Sequence, residues 1–151
     1  MKIATWNVNG IRKREPEVLD WIAQEQPDVL CLQELKAKRE QVPASLCELA
    51  GYWCYWHGAS GYSGVSLQVS KTLCPNEPRF SHPEFDHETR IVEAAFDDLV
   101  IASIYVPNGG KDFAAKLRFL EAMEGYVARH RQNGRSIVLC GDMNVARSDA
   151  D

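Results

Sequence analysis

Ser136-Ile137-Val138-Leu139-Cys140-Gly141-Asp142-Met143-Asn144 is the segment that decides how this chain is read. Its first part is an unbroken apolar run, which reads as a fully buried strand. The glycine that follows permits a tight turn. A carboxylate and a carboxamide come next, two residues apart. Side chains two apart in an extended segment share a face. Asp142 and Asn144 are therefore expected to point together into one pocket at the end of a buried strand, where α/β sheets place their ligands. An oxygen-bearing pair of this kind suits a hard cation such as Mg²⁺, a water to be deprotonated, or both. The same residues also make an ordinary turn, so the segment alone does not choose between chemistry and a plain loop.

The rest of the chain repeats the pattern. Lys2 to Trp6 reads as a short apolar strand that ends in Asn7-Val8-Asn9-Gly10. Asp28 to Gln33 is a second buried strand, ending in Gln33-Glu34 with Lys36 just beyond. Leu99 to Tyr105 ends in Tyr105-Val106-Pro107-Asn108-Gly109-Gly110-Lys111. One polar strand end is common; several, each carrying oxygen ligands and little bulk, point to convergence on one site.

Between these ends the patterning gives the connections. Pro16 is expected as the first residue of a helix with Val18, Leu19 and Ile22 as its buried stripe. Arg39 to Leu49 reads as a second helix in which Pro43 must lie in the first turn or break it. Tyr52 to His57 and Val65 to Val69 form a hairpin around a glycine-rich turn that carries Tyr62. Lys71 to Glu88 reads as a polar surface loop in which His82 and His87 are solvated. Arg90 to Phe96 and Leu99 to Tyr105 form the next hairpin, turned at Asp97-Asp98. Asp112 caps a long amphipathic helix with Phe113, Leu117, Leu120 and Val127 on its apolar face, and Gly134 stops it. Strand–helix–strand succession predicts parallel pairing and an α/β layer structure.

Bulk properties fit one globular domain over 1–151: 45% hydrophobic and 25% charged residues in 151. No run approaches the ~18 apolar residues that span a bilayer, and no signal-peptide pattern leads the chain. The five cysteines form no CxxC pair, which reads as a reducing, cytoplasmic setting without a zinc site. A net charge of -4 argues against a broadly basic nucleic-acid coat. It leaves room for an enzyme that grips a phosphodiester through a metal and a local basic rim.

Taken together, Thr5-Trp6-Asn7-Val8-Asn9-Gly10-Ile11-Arg12, Leu32-Gln33-Glu34-Leu35-Lys36, Gly61-Tyr62-Ser63-Gly64-Val65, Tyr105-Val106-Pro107-Asn108-Gly109-Gly110 and Gly141-Asp142-Met143-Asn144-Val145 resemble the exonuclease III family of apurinic/apyrimidinic (AP) endonucleases, in the endonuclease/exonuclease/phosphatase superfamily. The resemblance implies a DNase I-like, four-layer α/β sandwich. It implies a Mg²⁺-dependent nuclease, with Mn²⁺ able to substitute, acting on double-stranded DNA at abasic sites and 3′ ends. By match, Asn7, Glu34, Asp142 and Asn144 would serve the metal, with Glu34 its principal carboxylate. Tyr105, Asp142 and Asn144 would be catalytic, Tyr105 on the phosphate, Asp142 on the attacking water and Asn144 on the phosphate oxygen. Asn9, Arg12, Lys36, Tyr62, Asn108 and Lys111 would contact DNA.

Members of that family run to nearly twice this length, and their later part adds a metal aspartate and a Ser-Asp-His motif. None of His57, His82, His87 or His130 stands in that context, so none receives a role. The resemblance thus implies that these residues supply about the first half of the fold, with one sheet face left uncovered, and have little activity alone. The remainder would come from the same enzyme, a second chain or a second copy. Two other readings stay open: a different phosphoesterase of the superfamily, or a non-catalytic nucleic-acid-binding relative.

Overall fold

Two strands, β2 (Val29–Gln33) and β7 (Leu99–Tyr105), are apolar enough to require cover on both faces, and each lies inside a different four-stranded sheet. The computed structural model describes residues 1–59 and 61–146. The first sheet runs β1 (Ile3–Asn7), β2, β4 (Val65–Ser70), β3 (Tyr52–His57). β1 and β2 are parallel, joined through α1 (Ile11–Glu25), and the other pairings are antiparallel. The second sheet runs β5 (Arg79–Ser81), β6 (Ile91–Phe96), β7, β8 (Ser136–Asp142). Here β7 and β8 are the parallel pair, joined through α3 (Phe113–Gln132). Both strand–helix–strand units therefore pair as the succession of elements predicts, and both expected hairpins form.

Three apolar clusters order the layers. Val18 and Ile22 of α1 pack with Leu30 and Leu32 on the outer face of the first sheet. Cys31, Leu67, Val92 and Ile101 fill the space between the sheets. Phe119 and Tyr126 of α3 cover Ile91, Ala102 and Ile104 on the outer face of the second. The order is helix, sheet, sheet, helix: the four-layer α/β sandwich expected. Among the described residues a helix packs on each outer face, and the expected bare sheet face is not found there. Exposure falls instead on the outermost strands, where β1 and β8 are only partly buried while β2 is buried throughout.

Three local expectations are corrected, and the alternative left open at Pro43 is resolved. α1 begins at Ile11, and Pro16 lies inside it. The Gly10 and Ile11 amides donate to the Glu34 and Leu35 carbonyls at 2.8 and 3.0 Å, which fixes the first turn from outside. Pro16 removes only the bond to the Arg12 carbonyl, and that anchoring offsets the loss. Pro43 breaks the second expected helix into a single 3₁₀ turn and the short α2 (Ala44–Cys47), because the residue before a proline is driven out of the helical region. Arg79–Ser81, expected in a loop, pairs with β6. Gln33 is 1% exposed and donates to Ser103 Oγ at 3.1 Å, bridging the two sheets instead of entering a pocket. The Asp112 cap is as expected, accepting from the Ala115 amide at 2.8 Å. No described helix is long and apolar enough to cross a membrane.

Register aligns the strand ends. Asn7 pairs with Gln33, Gln33 and His57 with Val65, and Tyr105 with Asp142. At Gly141 β8 lies directly against β7: an added Cβ would stand 1.9 Å from the Ile104 carbonyl oxygen, with φ at +150°. Gly141→Ala is therefore expected to destabilise the fold by about 3 kcal/mol, the upper end of overpacking costs, because the obstacle is strand backbone. Urea unfolding measures this; a loss well under about 1 kcal/mol would contradict the close approach.

Candidate active site

Three strand ends meet through one side chain. The Asn7 carboxamide nitrogen donates to Glu34 Oε1 at 2.9 Å and to Asp142 Oδ2 at 2.8 Å. Asn7 ends β1, Glu34 follows β2 and Asp142 ends β8, so the contact joins both sheets. The Asn7 oxygen is occupied by the Asn9 amide at 3.1 Å. Asn7, expected as an oxygen donor, thus presents its nitrogen to the two carboxylates.

Local backbone explains why these side chains face inward. Glu34 would continue the alternation of β2 and point with Leu32 towards α1. Its φ of +54° turns it out of the strand. Asn9, Lys36 and Asn144 are also left-handed, at +46°, +49° and +49°. Such residues cost about 1–3 kcal/mol each and cluster where a site needs them. Asp142 and Asn144 are not held by strand alternation, as expected from their spacing. The Asn144 amide donates to Asp142 Oδ1 at 2.9 Å, an Asx turn. The Asn144 carboxamide nitrogen then donates to the Val106 carbonyl at 2.8 Å.

Lys36 Nζ stands 2.8 Å from Glu34 Oε2 and 2.5 Å from Asn9 Oδ1. Tyr105 faces Glu34 from the second sheet, close enough for each to perturb the other. Burial, and then the Glu34 charge, push the Tyr105 phenol up to about 12, so it remains a proton-bearing donor at neutral pH. Arg12 lies with Asn9 and Lys36 along an open cleft that also meets Gly61. Tyr62 and Lys111 form a second group: Lys111 Nζ is 5.5 Å from the Tyr62 ring centroid. Asn108 accepts the Gly110 amide at 2.9 Å, and its carbonyl accepts the Lys111 amide, shaping that loop.

Sequence reasoning missed Arg90. It is 2% exposed, donates to the Tyr62 hydroxyl at 3.0 Å and pairs with Glu88 at 2.7 Å. Its guanidinium lies 4.8 Å from the Tyr105 ring centroid. Standing at the head of an apolar strand, it carried no motif that marked it. Also missed is a histidine group: the expected solvated His82 stacks on His57 at 4.5 Å, and His57 Nε2 meets Asp86 Oδ2 at 2.5 Å.

Two carboxylates with a phenol, a lysine and amide donors can hold a hard cation and orient a water against a phosphate ester. Residues 4–151 match the model of the Endonuclease/Exonuclease/phosphatase family, and the chain belongs to that family. Its relatives are nucleases of the exodeoxyribonuclease III type. It is 35% identical to the DNA repair nuclease APEX1 of Danio rerio, across 100% of this chain and 51% of that one. It is 32% identical to exodeoxyribonuclease III of Haemophilus influenzae, across 100% and 60%. Among solved structures it resembles the 3′ phosphatase NExo from Neisseria bound to a product DNA hairpin, at TM-score 0.83 and 32% identity. An AP endonuclease from Archaeoglobus fulgidus matches at 0.82 and 32%. This chain is covered fully in both cases, and 60% of each of theirs. The fold is therefore DNase I-like, and the chain spans between half and two thirds of the length of these relatives.

Burial acts to raise the Glu34 carboxyl, but the Asn7 amide, the Lys36 ammonium and the Tyr105 phenol outweigh it and hold it below the usual range. The charged form is favoured in the fold. Glu34 thus contributes stability that is present above the ordinary glutamate range and lost as pH falls through the depressed value. Lys36→Met is expected to move the Glu34 midpoint up in metal-free buffer, as read by ¹³C NMR of its carboxyl. Arg14→Met, which removes the partner of Glu17 on α1, should leave it in place. Equal midpoints in the two variants would contradict this charge balance.

Proposed function

We propose that the intact protein is a Mg²⁺-dependent DNA repair nuclease, with Mn²⁺ able to substitute, that cleaves double-stranded DNA at abasic sites and processes 3′ ends. The observation that carries this reading is the Asn7 amide held between Glu34 and Asp142, with Tyr105 against Glu34. Asn7 brings the two carboxylates together, and a cation would take their remaining oxygen lone pairs beside the amide rather than the amide's place. That donor set fits a hard divalent cation, with Glu34 as principal ligand and Asp142 and Asn144 beside it. When bound, the cation supplies the charge that phosphodiester hydrolysis develops on phosphate and leaving-group oxygens.

The chain's own residues do the rest. Asp142, its Oδ1 fixed by the Asn144 amide, directs Oδ2 into the pocket as the base that aligns and deprotonates the attacking water. Asn7 orients both carboxylates. Tyr105 keeps its proton and donates to a phosphate oxygen. Asn144, anchored to the Val106 carbonyl, offers its carboxamide to the phosphate. Arg12, Lys36 and Asn9 along one cleft, and Tyr62, Lys111 and Asn108 along the other wall, grip the backbone of the strand. Such contacts position DNA without reading its sequence. An abasic nucleotide leaves the helix at lower cost than an intact one, which suits a site built from backbone contacts.

The test is nicking of a duplex with one synthetic abasic site, with Mg²⁺ and with EDTA, against inositol-phosphate and mononucleotide substrates. The duplex is expected to be cut, and only with Mg²⁺. Asp142→Asn should lower turnover by about 10²–10⁴, the range for a lost general base, while DNA binding persists. Glu34→Ala should raise the Mg²⁺ requirement about tenfold or more. Near-normal rates for both variants at ordinary Mg²⁺ would remove these assignments. Preference for a small phosphoester would favour another branch of the family, and binding without cleavage a non-catalytic one.

A further inference from the structure

We propose that His57, His82 and Asp86 form a second metal site, for a Zn²⁺-class cation, at the edge of the sandwich away from β1 and β8. His57 ends β3, the outer strand of the first sheet; His82 directly follows β5, the outer strand of the second; Asp86 lies in the turn beyond it. One nitrogen from each ring and one carboxylate oxygen lie within 4.8 Å of one another. The residues are 25 and 4 apart in sequence, so no local motif announces the group.

The carboxylate is held in place from outside. Asp86 Oδ1 accepts the Arg90 and Ile91 amides at 2.8 and 3.1 Å. This leaves Oδ2 directed at His57 Nε2, 2.5 Å away. Outer hydrogen bonds that fix a ligating carboxylate are a regular part of metal sites. The Asp86 side chain is 8% exposed and that of His57 16%, while His82 is exposed and would turn out of its stacked position to share the ion. Two imidazoles and one carboxylate are the ligand set of zinc sites that keep a water in the fourth position. Mg²⁺, which takes oxygen ligands, is not favoured here, so this site and the Glu34–Asp142 pair select different ions.

A His57–Asp86 ion pair alone accounts for two of the three groups. It does not account for His82, whose ring lies parallel to His57 at 4.5 Å and 13°. A shared metal ion would engage all three groups. Its ligands come from both sheets, and Asp86 grips the amide of Arg90, which reaches Tyr62 and Tyr105. The ion would therefore fasten the edge of the sandwich and, with it, one wall of the phosphodiester pocket.

The test is titration of the intact, EDTA-treated protein with Co²⁺ in excess Mg²⁺, reading visible ligand-field absorption, followed by displacement with Zn²⁺. One equivalent of low-coordinate Co²⁺ is expected. His82→Ala, a change at an exposed ring, should weaken Co²⁺ and Zn²⁺ binding by about tenfold or more and abolish the rise in melting temperature that Zn²⁺ gives the parent. Glu34→Ala should leave both readouts unchanged. Absence of the absorption, equal affinity in His82→Ala, or loss of the signal in Glu34→Ala would each overturn the proposal, the last by assigning the ion to the Glu34–Asp142 pocket.

Discussion

Everything at the working end of this molecule depends on one carboxamide between two carboxylates. Glu34 and Asp142 carry like charges at the ends of strands from different sheets. Without a donor between them their repulsion would favour protonation of one or separation of both. The Asn7 nitrogen satisfies both at under 3 Å, and Lys36 balances the charge on the Glu34 side. The pocket is thus held in shape by hydrogen bonds that do not require a cation. Preorganised dipoles of this kind need no rearrangement when charge develops.

That arrangement requires the backbone to leave regular structure at the right residues. Asn7, Asn108 and Asp142 each accept the amide two residues further on. The same Asx turn therefore closes three separate strand ends. Each turn satisfies an amide that the ending sheet leaves unpaired, and each fixes a polar side chain at the rim. The left-handed residues Glu34 and Lys36 are more costly, since neither is a residue type that favours that region. Their neighbourhood over-determines them. The Glu34 carbonyl accepts the Gly10 amide, and the Leu35 and Lys36 amides donate to Gly64 and Ser63. Strain at the site is offset by strand-like bonding to two other loops.

The apolar runs made the strands, both hairpins and the two parallel units legible, because burial on two faces leaves a continuous pattern. The polar strand ends made most of the pocket legible, because Asn7, Glu34, Tyr105 and Asp142 each follow such a run directly. What escaped depends on contacts across the sandwich. Gln33 looked like cargo at a strand end, but only the facing Ser103 makes it a bridge between sheets. Pro16 looked like a helix start, since the anchoring of the first turn by Glu34 and Leu35 comes from another element. Arg90 read as the polar edge of a strand until Tyr62, Glu88 and Tyr105 closed around it. The histidines appeared isolated because their partner positions are distant along the chain. The Asp142–Asn144 pairing was expected for the wrong local reason: a side-chain-to-backbone turn, not strand alternation, brings them together.

A divalent cation proposed to be held by Glu34 and Asp142 would sit beside the Asn7 carboxamide that joins them. The most direct measurement follows the Asn7 side-chain amide by ¹⁵N NMR as Mg²⁺ is added to the intact protein. A saturable shift of that amide is expected, together with the Glu34 and Asp142 carboxyls, with no shift at the His57 and His82 rings. An Asn7 signal that stays still while Mg²⁺ shifts resonances elsewhere would contradict it.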